Sequence, residues 1–154
     1  MSKRSAGILM YRRGGAALEV LLVHPGGPFW ANKDEGAWSI PKGEYAADED
    51  PLLCAKREFA EELGADAPAG DYLDLGEVTQ KGHKTVLAFA VESDFDPARL
   101  TSNLFEMEWP PRSGRTQSFP EVDRAGWFTP DVAARKILRR QVPFLERLLS
   151  RLDD

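Results

Sequence analysis

The sequence has little cysteine, no excess of positive charge and no long apolar run, and each shortage excludes a class of protein. Its single cysteine, Cys54, excludes an internal disulfide and fits a reducing compartment. A net charge of −5 disfavours a broad nucleic-acid surface, because phosphate binding needs a basic face. No apolar run approaches the roughly 18 residues of a membrane span, and a secretory signal pattern is missing. We therefore expect a cytoplasmic protein with no membrane partner.

What is present suits one folded domain over residues 1–154, since 42% of the chain is hydrophobic. Periodicity and turn residues predict strands at 7–11, 18–24, 71–80, 84–93 and 126–128, with at most a short strand at 104–109. Residues 38–41 are expected to be a short extended piece closed by a proline. Residues 25–37 and 42–50 are expected to be loops. Helices are expected at 51–63 and 131–152, the second broken or kinked by Pro143. This order predicts an α+β fold in which a mixed sheet is flanked by helices.

The first helix has clear boundaries and an unusual distribution of charge. Asp50 and Pro51 are typical of a helix start, and Gly64 is typical of its end. Three glutamates, Glu58, Glu61 and Glu62, crowd the last two turns. There the helix dipole disfavours each carboxylate by about 0.3–1 kcal/mol.

Spacings of three and four residues place the three glutamates on one helix face, where like charges repel. Arg57 can offset part of this repulsion through Glu61, four residues later. The helix alone leaves two interpretations open. One is a solvated acidic surface, and the other is a site for a divalent cation, because Mg²⁺ and Mn²⁺ prefer oxygen ligands.

The residues around this helix complete a longer motif. The stretch GEYAADEDPLLCAKREFAEELGA fits the pattern G-x5-E-x7-R-E-U-x-E-E-x-G-U, in which U is a bulky aliphatic residue. Seven fixed positions match: Gly43, Glu49, Arg57, Glu58, Glu61, Glu62 and Gly64. Only the two U positions depart, with Phe59 and Ala65, and both concern packing. The chain therefore resembles the Nudix hydrolases.

That resemblance implies a Nudix-type α/β/α sandwich and hydrolysis of a nucleoside diphosphate linked to another group. It also implies that Glu58, Glu61 and Glu62 hold Mg²⁺, or Mn²⁺ in its place, with the backbone carbonyl of Lys42 as a further ligand. Arg57 would orient the glutamates and pair with Glu49.

The general base that takes a proton from the attacking water has several candidates. Glu58 and Glu61 are two of them. In many Nudix enzymes the base is a glutamate outside the motif and just before the last strand. Glu121 has that place here, and Glu106 and Glu108 are its rivals.

Three further stretches, SAGILMYRR, WSIPKGE and KGHKTVLAFAVE, resemble the diadenosine tetraphosphate hydrolase branch and its bacterial predicted NTP pyrophosphohydrolases. Such substrates are small nucleotides rich in phosphate, so cations are expected around the cleft. The expected substrate-binding residues are Lys42, Lys84, His83 and Trp38. Further candidates for phosphate are Lys33 and Lys81. Base stacking is expected from Trp38 or from Phe29, Trp30 and Trp109, while Arg112 and Arg115 either reach a distal phosphate or face water.

Three alternatives to a dinucleoside polyphosphate or nucleoside triphosphate hydrolase stay open. The first is an enzyme for ADP-ribose or for oxidised nucleotides. The second is a non-catalytic Nudix-fold regulator that binds nucleotides. The third is an interaction module with an acidic helix, although such a module would need neither Arg57 nor Gly43. The sequence does not indicate an oligomeric state.

Overall fold

The computed structural model describes residues 3–15, 17–80 and 82–153, and a six-stranded mixed sheet lies at its centre. The strands are β1 Lys3–Arg12, β2 Glu19–Pro25, β3 Lys42–Glu44, β4 Leu73–Gln80, β5 Lys84–Glu92, β6 Leu104–Glu108, β7 Thr116–Pro120 and β8 Val122–Phe128. The helices are α1 Pro51–Leu63, α2 Pro130–Lys136 and α3 Val142–Leu152, with single 3-10 turns at Pro97–Arg99 and Arg139–Gln141.

In the large sheet the strand order is β4-β5-β1-β2-β8, and β3 pairs with β1. Strands β1 and β5 are parallel, whereas every other pair is antiparallel. The remaining strands, β6 and β7, form a separate hairpin.

The first two strands pair only near their connection, at Tyr11 with Val20 and Arg12 with Glu19. Beyond that point they diverge, and the segment 39–44 fills the gap between them. The Ile8 N–H donates to the Pro41 carbonyl at 3.1 Å, and Val23 pairs with Ser39. This insertion brings the start of the glutamate motif to the middle of the sheet.

Helices cover both faces of the sheet, because side chains alternate between faces along each strand. Helix α1 packs on one face through Cys54, Ala55, Phe59 and Leu63. Helices α2 and α3 cover the other face, through Ala133, Ile137, Phe144, Leu145 and Leu148. The predicted mixed sheet between helices is therefore confirmed.

The capping residues predicted both ends of α1 correctly. The Asp50 carboxylate accepts a hydrogen bond of 3.0 Å from the Leu53 N–H, and Gly64 ends the helix with a φ of 77°. Phe59, one of the two departures from the motif, is buried against Phe95 with a ring separation of 6.4 Å.

Three expectations about the other elements were wrong. Residues 42–44 form β3 rather than loop, because β1 offers them an open edge where it leaves β2. Strand β7 was missed, since its residues are mostly polar and it pairs only with β6. The last strand begins at Val122 rather than near Gly126, because β2 pairs along its whole length.

The C-terminal helical stretch is also not one helix. It breaks at residues 137–141, ahead of the expected position, and Pro143 lies in the first turn of α3, where its missing N–H costs nothing. The break is held by the sheet: the Leu138 N–H donates to the Trp38 carbonyl at 2.7 Å, and the Gln141 side chain accepts from the Ile40 N–H at 3.1 Å.

Candidate active site

Helix α1 directs its three glutamates toward the segment 39–44, which approaches it from the sheet. Glu62 is buried, with only 8% of its surface exposed, whereas Glu58 and Glu61 are half-buried. Since the opposite side of α1 is fixed in the core by Cys54, Ala55 and Phe59, the carboxylates cannot turn away into solvent together.

Glu62 has the most strongly perturbed carboxyl group. Burial is the main cause and repulsion from Glu58 the next, and together they raise its pKa to about 8. Glu121 raises the pKa further, while the positive charge of Lys42 and a hydrogen bond from the Lys42 N–H oppose the shift. A buried carboxylate among other carboxylates is poorly stabilised at neutral pH unless a cation is bound beside it.

Glu58 depends on the glycine that opens the motif. A Cβ atom built on Gly43 would overlap with the Glu58 carboxyl group, so only glycine lets this side chain lie against β3. Burial raises the pKa of Glu58, and repulsion from Glu61 adds to the shift.

Glu121 joins this group from outside the motif. It lies at the bend between β7 and β8 and shares a cavity of about 210 Å³ with Glu62 and Lys42. Burial raises its pKa, followed by repulsion from Glu61. We refer to Glu58, Glu61, Glu62 and Glu121 as the carboxylate cluster.

The two rivals of Glu121 lie elsewhere, on the β6–β7 hairpin. Glu106 is exposed on β6. Glu108 accepts hydrogen bonds of 3.1 Å from the backbone N–H groups of Arg112 and Gly114, so it holds the hairpin turn. Of the three acids proposed outside the motif, Glu121 alone is brought to the cavity that contains Glu62.

Arg57 links helix α1 to the loop that precedes it. Its guanidinium donates to the Glu49 carboxylate and lies 3.6 Å from Glu58. The expected Glu49–Arg57 pair is therefore present. The offset expected through Glu61 is wrong, because the guanidinium turns back toward Glu49, which precedes the helix.

The donor chemistry of the cluster fits a hard divalent cation. Its carboxylates raise one another's pKa, which is the repulsion that a bound Mg²⁺ or Mn²⁺ would relieve. Within residues 3–15, 17–80 and 82–153, no three acidic, histidine or cysteine side chains already surround a single point as metal ligands would. Magnesium needs only one or two direct carboxylates, since water and substrate phosphates complete its shell.

The predicted substrate residues differ in how far they are buried. Lys42 is half-buried beside the cluster, and burial is the main cause that lowers its pKa, with a further lowering from the charge of Lys84. Lys84 opens β5 and lines a separate cleft that also contains Trp30. His83 is exposed in the preceding turn with a φ of 61°, and the neighbouring Lys81 is outside the described residues.

The stacking role expected for Trp38 does not fit its position. Its ring is only 5% exposed and packs edge-on against His24 and Phe128, while its Nε1–H donates to Asp34 at 2.8 Å. The partner segment 137–138 pairs with Trp38 and keeps it in the core. Trp30, which is 37% exposed, lines the cavity instead.

Two arginines near the site were not predicted from the sequence. Arg139 and Arg140 line a second cleft together with Lys84, Gln80, Trp30 and Leu138. An Arg-Arg pair between the buried residues Ile137 and Gln141 was the available signal. Residues 131–152 were expected to be helical with a break or kink only at Pro143, so a turn at residues 139–141 was not predicted.

Comparison with known proteins identifies the family of this chain. A family model described as "NUDIX domain" matches residues 1–148. The chain belongs to the Nudix family. It is accordingly a pyrophosphohydrolase, and enzymes of this family generally use divalent metal ions.

Solved structures show the same fold at low identity. The Caenorhabditis elegans Ap4A hydrolase in a binary complex is 18% identical with a TM-score of 0.64, over 97% of this chain and 98% of that one. The NUDIX domain of Shewanella oneidensis NrtR, complexed with ADP ribose, is 17% identical with a TM-score of 0.66, over 99% and 89%. RenU, a Nudix hydrolase from M. smegmatis, is 21% identical with a TM-score of 0.58, over 99% and 88%. Curated proteins gave no match.

The helices were also compared with the length and hydropathy that a membrane span needs. Among the residues it describes, no helix is both long enough and apolar enough to cross a bilayer.

Proposed function

We propose that this Nudix enzyme hydrolyses a pyrophosphate bond in a phosphate-rich nucleotide, a dinucleoside polyphosphate or a nucleoside triphosphate, with Mg²⁺ or Mn²⁺ as cofactor. The observation that carries the proposal is the cavity shared by Lys42, Glu62 and Glu121. It combines carboxylates suited to a divalent cation with a lysine suited to phosphate, which supports the binding of metal and substrate at one site.

The cofactor would be held by Glu58, Glu61 and Glu62, with the Lys42 carbonyl as a further ligand. When bound, such an ion neutralises phosphate oxygens and lowers the pKa of a water molecule toward neutrality. Arg57 would position Glu58 through the contact at 3.6 Å, and Glu49 would fix the guanidinium from its other side.

Glu121 would take the proton from the attacking water. It belongs to the bend between β7 and β8 rather than to the helix, and it shares a cavity with Glu62 and Lys42. Burial, followed by repulsion from Glu61, raises the pKa of Glu121, and a higher pKa makes a carboxylate a stronger base. Lys42 would bind a non-bridging phosphate oxygen.

The substrate class is supported by charge along the cleft. Lys42 beside the cluster and Lys84 farther out suit a chain of several phosphates better than a single one. The fold shared with an Ap4A hydrolase agrees with this choice. ADP-ribose is the second candidate, favoured by the ADP-ribose complex of the NrtR NUDIX domain.

The test is a product analysis with purified protein and Mg²⁺ or Mn²⁺. The substrates are diadenosine polyphosphates, nucleoside triphosphates, oxidised dGTP and ADP-ribose. We expect diadenosine tetraphosphate to yield ATP and AMP, or a nucleoside triphosphate to release pyrophosphate. Preferential cleavage of ADP-ribose to AMP and ribose 5-phosphate would contradict the substrate assignment. Tight nucleotide binding without turnover of any substrate would instead indicate a regulator.

A further inference from the structure

A second cleft adjoins the cavity of the carboxylate cluster. Its volume is about 460 Å³, and its lining includes three positively charged side chains, those of Lys84, Arg139 and Arg140. Trp30 and Leu138 line both this cleft and the cavity that contains Glu62. A ligand bound at the cluster can therefore extend past these two residues without leaving the protein surface. We call this region the basic cleft.

The charges of the basic cleft are not used elsewhere in the described structure. Within residues 3–15, 17–80 and 82–153, none of the three side chains has a carboxylate oxygen within 4.0 Å or a side-chain hydrogen bond. The other C-terminal arginines differ: Arg147 and Arg151 donate to backbone carbonyls of β4, with contacts of 2.8–3.0 Å. Three like charges without a counter-charge suit an anionic ligand.

The fold fixes the backbone of the two arginines while leaving their side chains exposed. Ile137 and Gln141, which enclose them, are buried, and each is anchored to the segment that leads into β3. Arg139 and Arg140 therefore lie at a defined distance from the motif without contributing to the core. Such a placement suits ligand binding, because the anchors order the loop before a ligand arrives.

We propose that the basic cleft binds the distal phosphates of the substrate, those beyond the phosphates held at the carboxylate cluster, and thereby selects long phosphate chains over short ones. This inference rests on the proposed function. Arg139 and Arg140 supply planar guanidinium groups, each of which can donate two hydrogen bonds to phosphate oxygens. Lys84 adds a third positive charge to the cleft, next to the cavity that contains Lys42.

The kinetic test uses the double variant Arg139→Gln/Arg140→Gln. Its matched control, Arg99→Gln/Arg135→Gln, removes the same charge from two exposed arginines that line neither the basic cleft nor the cavity of the carboxylate cluster. For diadenosine tetraphosphate, we expect the double variant to raise KM about 10-fold or more with little change in kcat. The effect should shrink for diadenosine diphosphate, which has fewer phosphates, and Arg139→Lys/Arg140→Lys should restore part of the affinity. An equal effect on both substrates, or an equal effect in the control, would overturn the proposal.

A binding measurement separates this proposal from the proposed function. Calorimetry with inorganic tripolyphosphate in EDTA needs neither turnover nor metal. Parent protein and Glu62→Gln should bind it equally, whereas Arg139→Gln/Arg140→Gln should bind at least about 10-fold more weakly. If tripolyphosphate binds the double variant as well as the parent, the basic cleft is not the site. If tripolyphosphate binding depends on the arginines while no substrate is cleaved, the cleft stands and the hydrolase assignment fails.

Discussion

Two clusters of like charge lie side by side in this protein, and they differ in what surrounds them. The carboxylate cluster has a buried member, Glu62, and is carried mostly by a helix fixed in the core. The basic cleft is lined by exposed side chains from a turn and a strand end. Trp30 and Leu138 lie between the two.

The strength of the repulsion between like charges depends on burial, and it differs between the two clusters. Burial of Glu62, and after it repulsion from Glu58, raises its pKa to about 8 and favours either a proton or a metal ion. Around Arg139 and Arg140, solvent and salt screen the repulsion, which costs little. The first cluster should therefore govern catalysis and stability, and the second should govern only affinity for substrate.

The largest effect should come from removing the buried charge. Glu62→Gln keeps the shape of the side chain but removes a metal ligand, so we expect kcat to fall by about 1,000-fold or more. Glu146→Gln, an exposed change on α3, should leave kcat unaltered and serves as its control. Steady-state kinetics with saturating Mg²⁺ measures both, and a Glu62→Gln variant as active as its parent would break the contrast between the clusters.

The next effect concerns the base. Glu121→Gln should lower kcat about 100-fold, because a positioned base contributes on the order of 10²–10⁴. Glu106→Gln, on the exposed face of β6, should change kcat less than twofold. A pH profile of kcat adds a second readout, since loss of the base should remove the acidic limb. The reverse ranking of the two variants would assign the base to the hairpin.

A smaller effect should follow from crowding Glu58. The Cβ of Gly43→Ala would overlap with the Glu58 carboxyl group and displace it, so we expect kcat/KM to fall about 10- to 100-fold. Gly14→Ala adds the same atom where nothing lies within 4 Å and should leave kcat/KM unchanged. Restored activity at high Mn²⁺ would sharpen the account, because it would show a weakened site rather than an unfolded one.

The last effect is on stability rather than on turnover, and it depends on pH. Without metal, the folded pKa of Glu62 of about 8 exceeds its ordinary value of 4.5, so its contribution to stability is full below pH 4.5 and lost as pH rises through 8. Glu62→Gln should therefore be more stable than the parent by up to about 5 kcal/mol near pH 8.5, and nearly equal to it near pH 4.5. Urea unfolding in EDTA at both pH values measures this, and a less stable variant at pH 8.5 would contradict it.

The sequence predicted best those features that local chemistry decides. Asp50, Pro51 and Gly64 bound α1 through caps that involve only neighbouring residues, so the helix was placed correctly. The spacing of the three glutamates then followed from helix geometry. Glu62 and Glu121 line one cavity, and the roles expected for them stay predictions.

Features that depend on distant partners were not predictable in the same way. The break at residues 137–141 is held by hydrogen bonds to Trp38 and Ile40, about 100 positions away. The same pairing buries Trp38 and removes it from the substrate surface. The basic cleft follows from this break. In one continuous helix, Arg139 and Arg140 would extend α2 in its own direction and would not lie in a turn anchored to the sheet.

The most direct test of the central claim is a calorimetric titration of the protein with Mn²⁺ and with Mg²⁺, with and without a non-hydrolysable nucleotide. The account predicts that parent and Glu146→Gln bind the ion, and that Glu62→Gln binds it at least about 10-fold more weakly. Binding should also release protons near pH 7.5, because the ion replaces the proton on Glu62. An absence of ion uptake under all these conditions, or equal uptake by Glu62→Gln, would contradict it.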